Sequence, residues 1–157
     1  MTTYLSYDIY LYECLKYINR KLIFFVMNKY QIEDKCGEET LKLGFVPIPT
    51  SLIFAQKELG LSSIEINILL NLLVHWWEKK QFPFPSQQAI AYRVGVSTRT
   101  VQRTLAGLEL KGLVKRKRTS RENEKYKGRN LYDLTPLVTV LEEKTPELKI
   151  YQKRERS

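Results

Sequence analysis

Between Gly95 and Gly112 the chain reads GVSTRTVQRTLAGLELKG, and three side chains within it carry hydrogen-bonding groups suited to base edges. Arg99 and Arg103 each present a planar guanidinium fork that fits the O6 and N7 acceptors of guanine. Gln102 presents an amide that fits the N6 and N7 of adenine. Helical periodicity puts these three on one arc together with Ala106, while Val101, Thr104, Leu105 and Leu108 fall on the opposite arc. Ala106 keeps the polar arc low enough for close approach to a groove about 12 Å wide, or for contact with a thymine methyl. Thr98 sits at the edge of the arc, where it suits backbone contact. A solvated amphipathic helix shows the same periodicity, so the elements around it must decide.

A helix that enters a groove needs a second helix crossing it closely. Ser86 reads as the N-cap of a helix over 87–94, Gly95 breaks it, Ser97 caps a helix over 98–111, and Gly112 stands at the C′ position. The crossing requires a small residue on the first helix, which is Ala91. The turn requires a positive φ, which Gly95 supplies four residues later. The second helix requires a β-branched apolar residue inside the crossing, which is Val101, six residues further on. Ser97 adds a hydroxyl for a phosphate, and the cap residues Ser86 and Gln87 are candidates for the same backbone.

From Ser86 to Val114 the pattern S-x-x-x-I-A-x-x-x-G-V-S-x-x-T-V-x-R-x-L-x-x-L-x-x-x-G-L-V closely resembles the winged helix-turn-helix domains of bacterial regulators and of plasmid and phage replication proteins. The resemblance is dense over 85–135 and extends to 50–135 if the preceding helix is included. It implies a mostly α, α+β fold: a long buried central helix, a helix-turn-helix over 86–111, a β-hairpin wing over 113–135 and a last helix over 136–144. Within it Ala91, Gly95, Val101, Leu105, Leu108 and Gly112 are the structural positions of the motif. The implied activity is sequence-specific binding of double-stranded DNA, as a transcriptional regulator or, alternatively, as a replication or maintenance protein of a plasmid or phage; a winged helix used as a protein-interaction module would instead show an uncharged, apolar arc, which Arg99, Gln102 and Arg103 argue against.

Charge placement agrees. The 157 residues carry a net +9. Residues 85–130 hold twelve basic and three acidic residues, so this stretch alone carries +9, and the rest of the chain balances to zero. Eight cations fall between Lys115 and Arg129, in the hairpin and its loop. Alternate strand residues face opposite sides, so not all can meet one duplex; Arg116, Arg118, Lys125, Lys127 and Arg129 are the preferred set. Tyr126 either stacks or packs. Leu110 projects toward the polar arc one turn further along and is expected to pack under the wing. Gly107 inside a helix costs about 1 kcal/mol relative to Ala, which points to a close contact there.

Upstream, Ser62 and Glu65 form a capping box for a helix through LSSIEINILLNLLVHWWEKK whose apolar residues cover most of the circumference, the mark of a central helix. Trp76 and Trp77 are core candidates, and His75 reads as a packed or hydrogen-bonded residue rather than a ligand. A short helix is expected over 52–59, ended by Gly60. QFPFP (81–85) fits an extended edge segment, because proline cannot donate to a ladder. Residues 1–48 read as an N-terminal extension outside the domain (49–144), and 145–157 as a charged, mobile tail. Residues 1–26 are rich in tyrosine, with Met27 as an alternative start.

Other functions find little support. One histidine and two distant cysteines, Cys14 and Cys36, make neither a metal set nor a triad, and the glycines are scattered singly rather than forming a phosphate loop. No enzymatic activity, cofactor, metal or small-molecule ligand is expected. Both cysteines are expected to be buried free thiols in a reducing cytoplasm. The longest apolar run near the N-terminus, 22–27, is far short of the roughly 20 residues a membrane span needs, so a cytoplasmic, nucleoid-associated protein is expected. The last helix carries Leu137, Val138, Val140 and Leu141, which pack either on the long helix or on a second subunit in a homodimer.

Overall fold

In the computed structural model the described residues are 32–155; the expectations for 1–26 and for Cys14 lie outside them. The chain divides into two units, 1–45 and 46–157. Within the first, the described part has helical turns at 32–36 and Glu38–Leu41, the latter with no buried residue. Cys36 is exposed there as a free thiol, contrary to the buried thiol expected, because this short polar stretch has no apolar face to cover it.

The second unit runs α1 (Thr50–Phe54), α2 (Ser63–Leu73), α3 (Gln87–Val94), α4 (Thr98–Leu110), β1 (Lys115–Lys117), β2 (Leu131–Asp133) and α5 (Thr135–Glu155). Leu52, Ile68, Leu69, Leu72, Ile90, Val101, Leu105, Leu108, Tyr132, Leu134 and Leu137 build its core. α2 packs on α3 and α4, α3 on α4, and α1 on α5. The strands pair antiparallel, Lys115 with Asp133, Arg116 with Tyr132 and Lys117 with Leu131. The 81–85 segment lies along the other side of β2, where the Tyr132 N–H donates to the Pro83 carbonyl at 2.9 Å. Pro83 and Pro85 lack donors, so this third position stays a single-bond edge rather than a strand.

Several boundaries differ from the sequence reading. α1 starts at Thr50 and stops at Phe54, and 55–60 continue as turns. α2 ends at Leu73: His75 and Trp76 donate to carbonyls only three residues back, which tightens the chain out of the helix. Trp77 is therefore 65% exposed and outside the core, and Trp76 is only partly buried. α5 is longer than expected and passes through Pro146 to Glu155. An interior proline costs a helix about 3 kcal/mol, but Leu148 beyond it is buried, and Lys144 reaches Glu58 at 3.0 Å, so packing carries the helix past the break. Leu137 and Leu141 are buried in the unit's own core, which takes them away from any second subunit.

The close contact expected at Gly107 is not found. A Cβ there would meet Glu65 Oε1 at 3.5 Å, ordinary van der Waals contact, with no clash. Gly107→Ala is accordingly expected to stabilise the protein by about 0.5–1 kcal/mol, read as a raised melting temperature. A loss of stability would show that the Glu65 carboxylate needs the space.

Candidate nucleic-acid interface

Caps fix where each helix of the motif begins. The Ser86 hydroxyl accepts from Ala89 N–H and the Ser97 hydroxyl from Thr100 N–H, both at 3.1 Å. Between them Gly95 turns the chain at φ 74°, and the N–H groups of Gly95 and Val96 both close onto the Ala91 carbonyl. Open space surrounds the missing Cβ, so it is the left-handed backbone and not crowding that calls for glycine. Ala91 and Val101 are buried where α3 and α4 cross. The far end of α4 closes with a Schellman pair: Gly112 N–H to Glu109 carbonyl at 2.9 Å and Leu113 N–H to Leu108 carbonyl at 3.0 Å, with both leucines buried.

That framework buries Val101, Leu105 and Leu108 and turns the other arc outward. Thr98, Arg99, Gln102 and Arg103 are exposed, and Ala106 is half-buried beside them. Arg99, Gln102 and Arg103 make no side-chain hydrogen bond or ion pair among the described residues. Leu110 departs from expectation: it is 90% exposed on this same arc and does not pack under the wing. Its neighbour Glu109 faces the hairpin instead, and the Schellman turn carries Leu113 into the core.

The hairpin supplies the second surface. Its loop is held by its own bonds: Asn123 Oδ1 accepts from Lys125 and Tyr126 N–H, Ser120 carbonyl from Gly128 N–H at 2.9 Å, and Arg129 carbonyl from the Thr119 hydroxyl at 2.7 Å. Arg118, Arg121, Lys125, Lys127 and Arg129 are exposed along it. Tyr126 packs edge-on against Phe84 with ring centroids 5.1 Å apart, and Lys125 Nζ lies 5.2 Å from the Tyr126 ring centre.

Residues 59–114 match the family model of the helix-turn-helix domain. The crystal structure of the N-terminal domain of DnaD protein from Geobacillus kaustophilus is similar to this chain at a TM-score of 0.52 and 25% identity, over 74% of this chain and 93% of that one. The chain carries a winged helix-turn-helix domain. No curated protein matches the chain significantly.

In this winged helix α4 is the second helix of the helix-turn-helix and β1–β2 the wing. Most of the residues singled out in the sequence lie together on these two elements. Gln87 is half-buried at the start of α3, near the enclosed Tyr132 hydroxyl. Among the described residues that hydroxyl has no partner in hydrogen-bonding geometry, and burial raises its pKa, with Gln87 and Asn130 only partly offsetting the effect. Arg116 does not stand free: its Nη2 donates to Glu109 Oε2 at 2.6 Å and its main-chain N–H donates to Oε1 at 3.1 Å. Strand alternation begins one residue earlier than the preferred cation set assumed, so Lys115 and Lys117 face outward and Arg116 inward. No local signal marks the partnership, because Glu109 and Arg116 are seven residues apart across a tight turn.

His75 is held by the motif as well. Its Nε2 accepts from Arg93 Nη1 at 3.1 Å, and partial burial together with the Arg93 charge lowers its pKa, so it serves as a neutral acceptor steadying α3. Among the described residues no group of three or more His, Cys, Asp or Glu could hold a metal ion, and no helix is long and apolar enough to cross a membrane.

Proposed function

We propose that this protein binds double-stranded DNA sequence-specifically, with α4 in the major groove and the wing on the adjacent backbone. One observation carries the reading: Arg99, Gln102 and Arg103 stand exposed, and unpaired among the described residues, on the outward arc of a helix capped by Ser97. Base edges are read by the arc. Phosphates are met by Thr98, the Ser97 hydroxyl, the α3 cap residues Ser86 and Gln87, and by Arg118, Lys125, Lys127, Arg129 and the outward Lys115 and Lys117. Ala106 leaves room for the groove floor.

For the cellular role, the likeness to the DnaD N-terminal domain favours replication or maintenance over transcriptional regulation, the reverse of the order in which the sequence alone ranks them. Selection of bound duplexes from a random pool tests the binding itself. Enrichment of one motif is the expected outcome; a pool that stays random after repeated rounds overturns the proposal. Iterated copies of that motif at an origin, rather than beside a promoter, decide between the roles.

Wing residues have their own signature. Lys125→Gln or Lys127→Gln is expected to weaken every duplex alike and to reduce the slope of log affinity against log salt by about 0.9 for each phosphate no longer neutralised. A change of preferred base in these variants would instead assign base reading to the wing.

A further inference from the structure

Glu109 is the one acidic residue on the recognition helix, in the part of the chain that otherwise concentrates positive charge. A carboxylate there opposes an approaching duplex, and it also neutralises Arg116. Its geometry explains what it does in return. In the β1–β2 ladder Arg116 lies opposite Tyr132, and the Tyr132 N–H points away from β1 to Pro83. The Arg116 N–H correspondingly points out of the free edge of β1, where an unpaired donor would be left. One Glu109 oxygen takes that N–H and the other takes the guanidinium, with the two side chains only 28% and 22% exposed.

The two bonds span the turn through which the chain leaves α4 for the wing. That turn is already closed by the Schellman pair and by buried Leu113 and Val114. β2 is anchored separately, by the Tyr132 bond to Pro83 and by buried Tyr132 and Leu134, so on the β1 side the Glu109 bonds are what tie the hairpin to α4. We propose that Glu109 is a positioning residue for DNA recognition: through Arg116 it sets the wing against the recognition helix, so that phosphates and bases are met in one register. The effect is to sharpen discrimination while lowering affinity for arbitrary sequence. The inference rests on the duplex-binding reading above.

The test compares wild type, Glu109→Gln, Arg116→Gln and the double variant in the full chain. Each is titrated with the duplex selected from the random pool and with a scrambled duplex of equal length, across a salt series, with melting temperatures recorded. In Glu109→Gln, affinity for the scrambled duplex is expected to rise and the salt slope to steepen by about 0.9 as Arg116 becomes free to meet a phosphate. The ratio of selected to scrambled affinity is expected to fall about tenfold, within the range of a single mismatched base pair. In the Arg116→Gln background the Glu109→Gln change is expected to leave the salt slope unmoved. An equal rise for both duplexes overturns the positioning role and leaves only charge removal. An unchanged ratio, or an equal loss for both duplexes with a lowered melting temperature, overturns it too. If wild type itself binds no duplex, the failure belongs to the duplex-binding reading, not to Glu109.

Discussion

Arg99→Ala is expected to weaken binding of the selected duplex by about 1–3 kcal/mol and to flatten preference at one base position, leaving affinity for scrambled DNA nearly unchanged. The expectation follows from how the side chain is held. Arg99 lies in the first turn after the Ser97 cap, on a helix whose buried face is fixed by Val101, Leu105 and Leu108, and nothing within the described protein competes for its guanidinium. Its donors are therefore available to a base edge without breaking an internal bond. Gln102→Ala is expected to act at a different base position by a similar amount. Titration against a panel of single-base variants of the selected site reads both effects. Uniform weakening on every variant would move these residues from base reading to backbone contact.

Glu65→Ala is expected to lower folding stability by about 2–4 kcal/mol, the largest effect foreseen for a single polar side chain here. Glu65 is 7% exposed and does two jobs. It completes the α2 capping box, accepting from the Ser62 N–H at 2.8 Å and the Ser62 hydroxyl at 2.7 Å. It also receives Lys111 Nζ at 2.7 and 2.8 Å, while that same ammonium donates to the Gly60 carbonyl at 2.6 Å. The start of α2 and the end of α4 are thus tied at one carboxylate. The Lys111 side chain is a third exposed, which places the figure below the full cost of breaking a wholly buried pair. Glu65→Gln, which can keep part of the cap, is expected to lose less. Chemical denaturation measures both.

The same carboxylate gives a pH dependence. Burial pushes the Glu65 pKa up, but hydrogen bonds from Lys111 and Ser62 and the Lys111 charge outweigh it, so the folded value lies below the ordinary carboxylate range. A depressed folded pKa means stability that is complete above the unfolded value and lost as pH falls through the folded one. Melting temperature is expected to drop on acidification, and Glu65→Gln is expected to remove part of that slope. Equal slopes in both proteins would show that other groups carry the acid sensitivity.

Much of the helix-turn-helix was legible because its determinants are local. A serine cap, a left-handed glycine and the 3.6-residue apolar period act within a few residues, and they place α3, the start of α4 and the turn at Gly112 where the structure has them. The outward arc follows from the same period. The hairpin was legible as two β-rich runs around a polar loop, but its facing was not: which alternate cation points inward depends on where Leu113 and Val114 enter the core.

Elements whose limits are set by partners were read less well. α2 gives way to three-residue turns after Leu73 although apolar residues continue to Trp77, and Leu148 carries α5 past Pro146 although local propensity argues for a break. Leu110 looked buried by type and is exposed by position.

By itself, then, the sequence determined the motif, its caps, the outward arc of its second helix and the confinement of positive charge to one stretch, since each depends on neighbours along the chain. Tertiary structure alone decided that Lys111 meets Glu65 and Gly60, 46 and 51 residues away, that Arg116 is claimed by Glu109, and that Pro83 lies beside Tyr132. Those pairings need groups from separate elements brought within about 3 Å, a condition of packing and charge burial that no local period encodes.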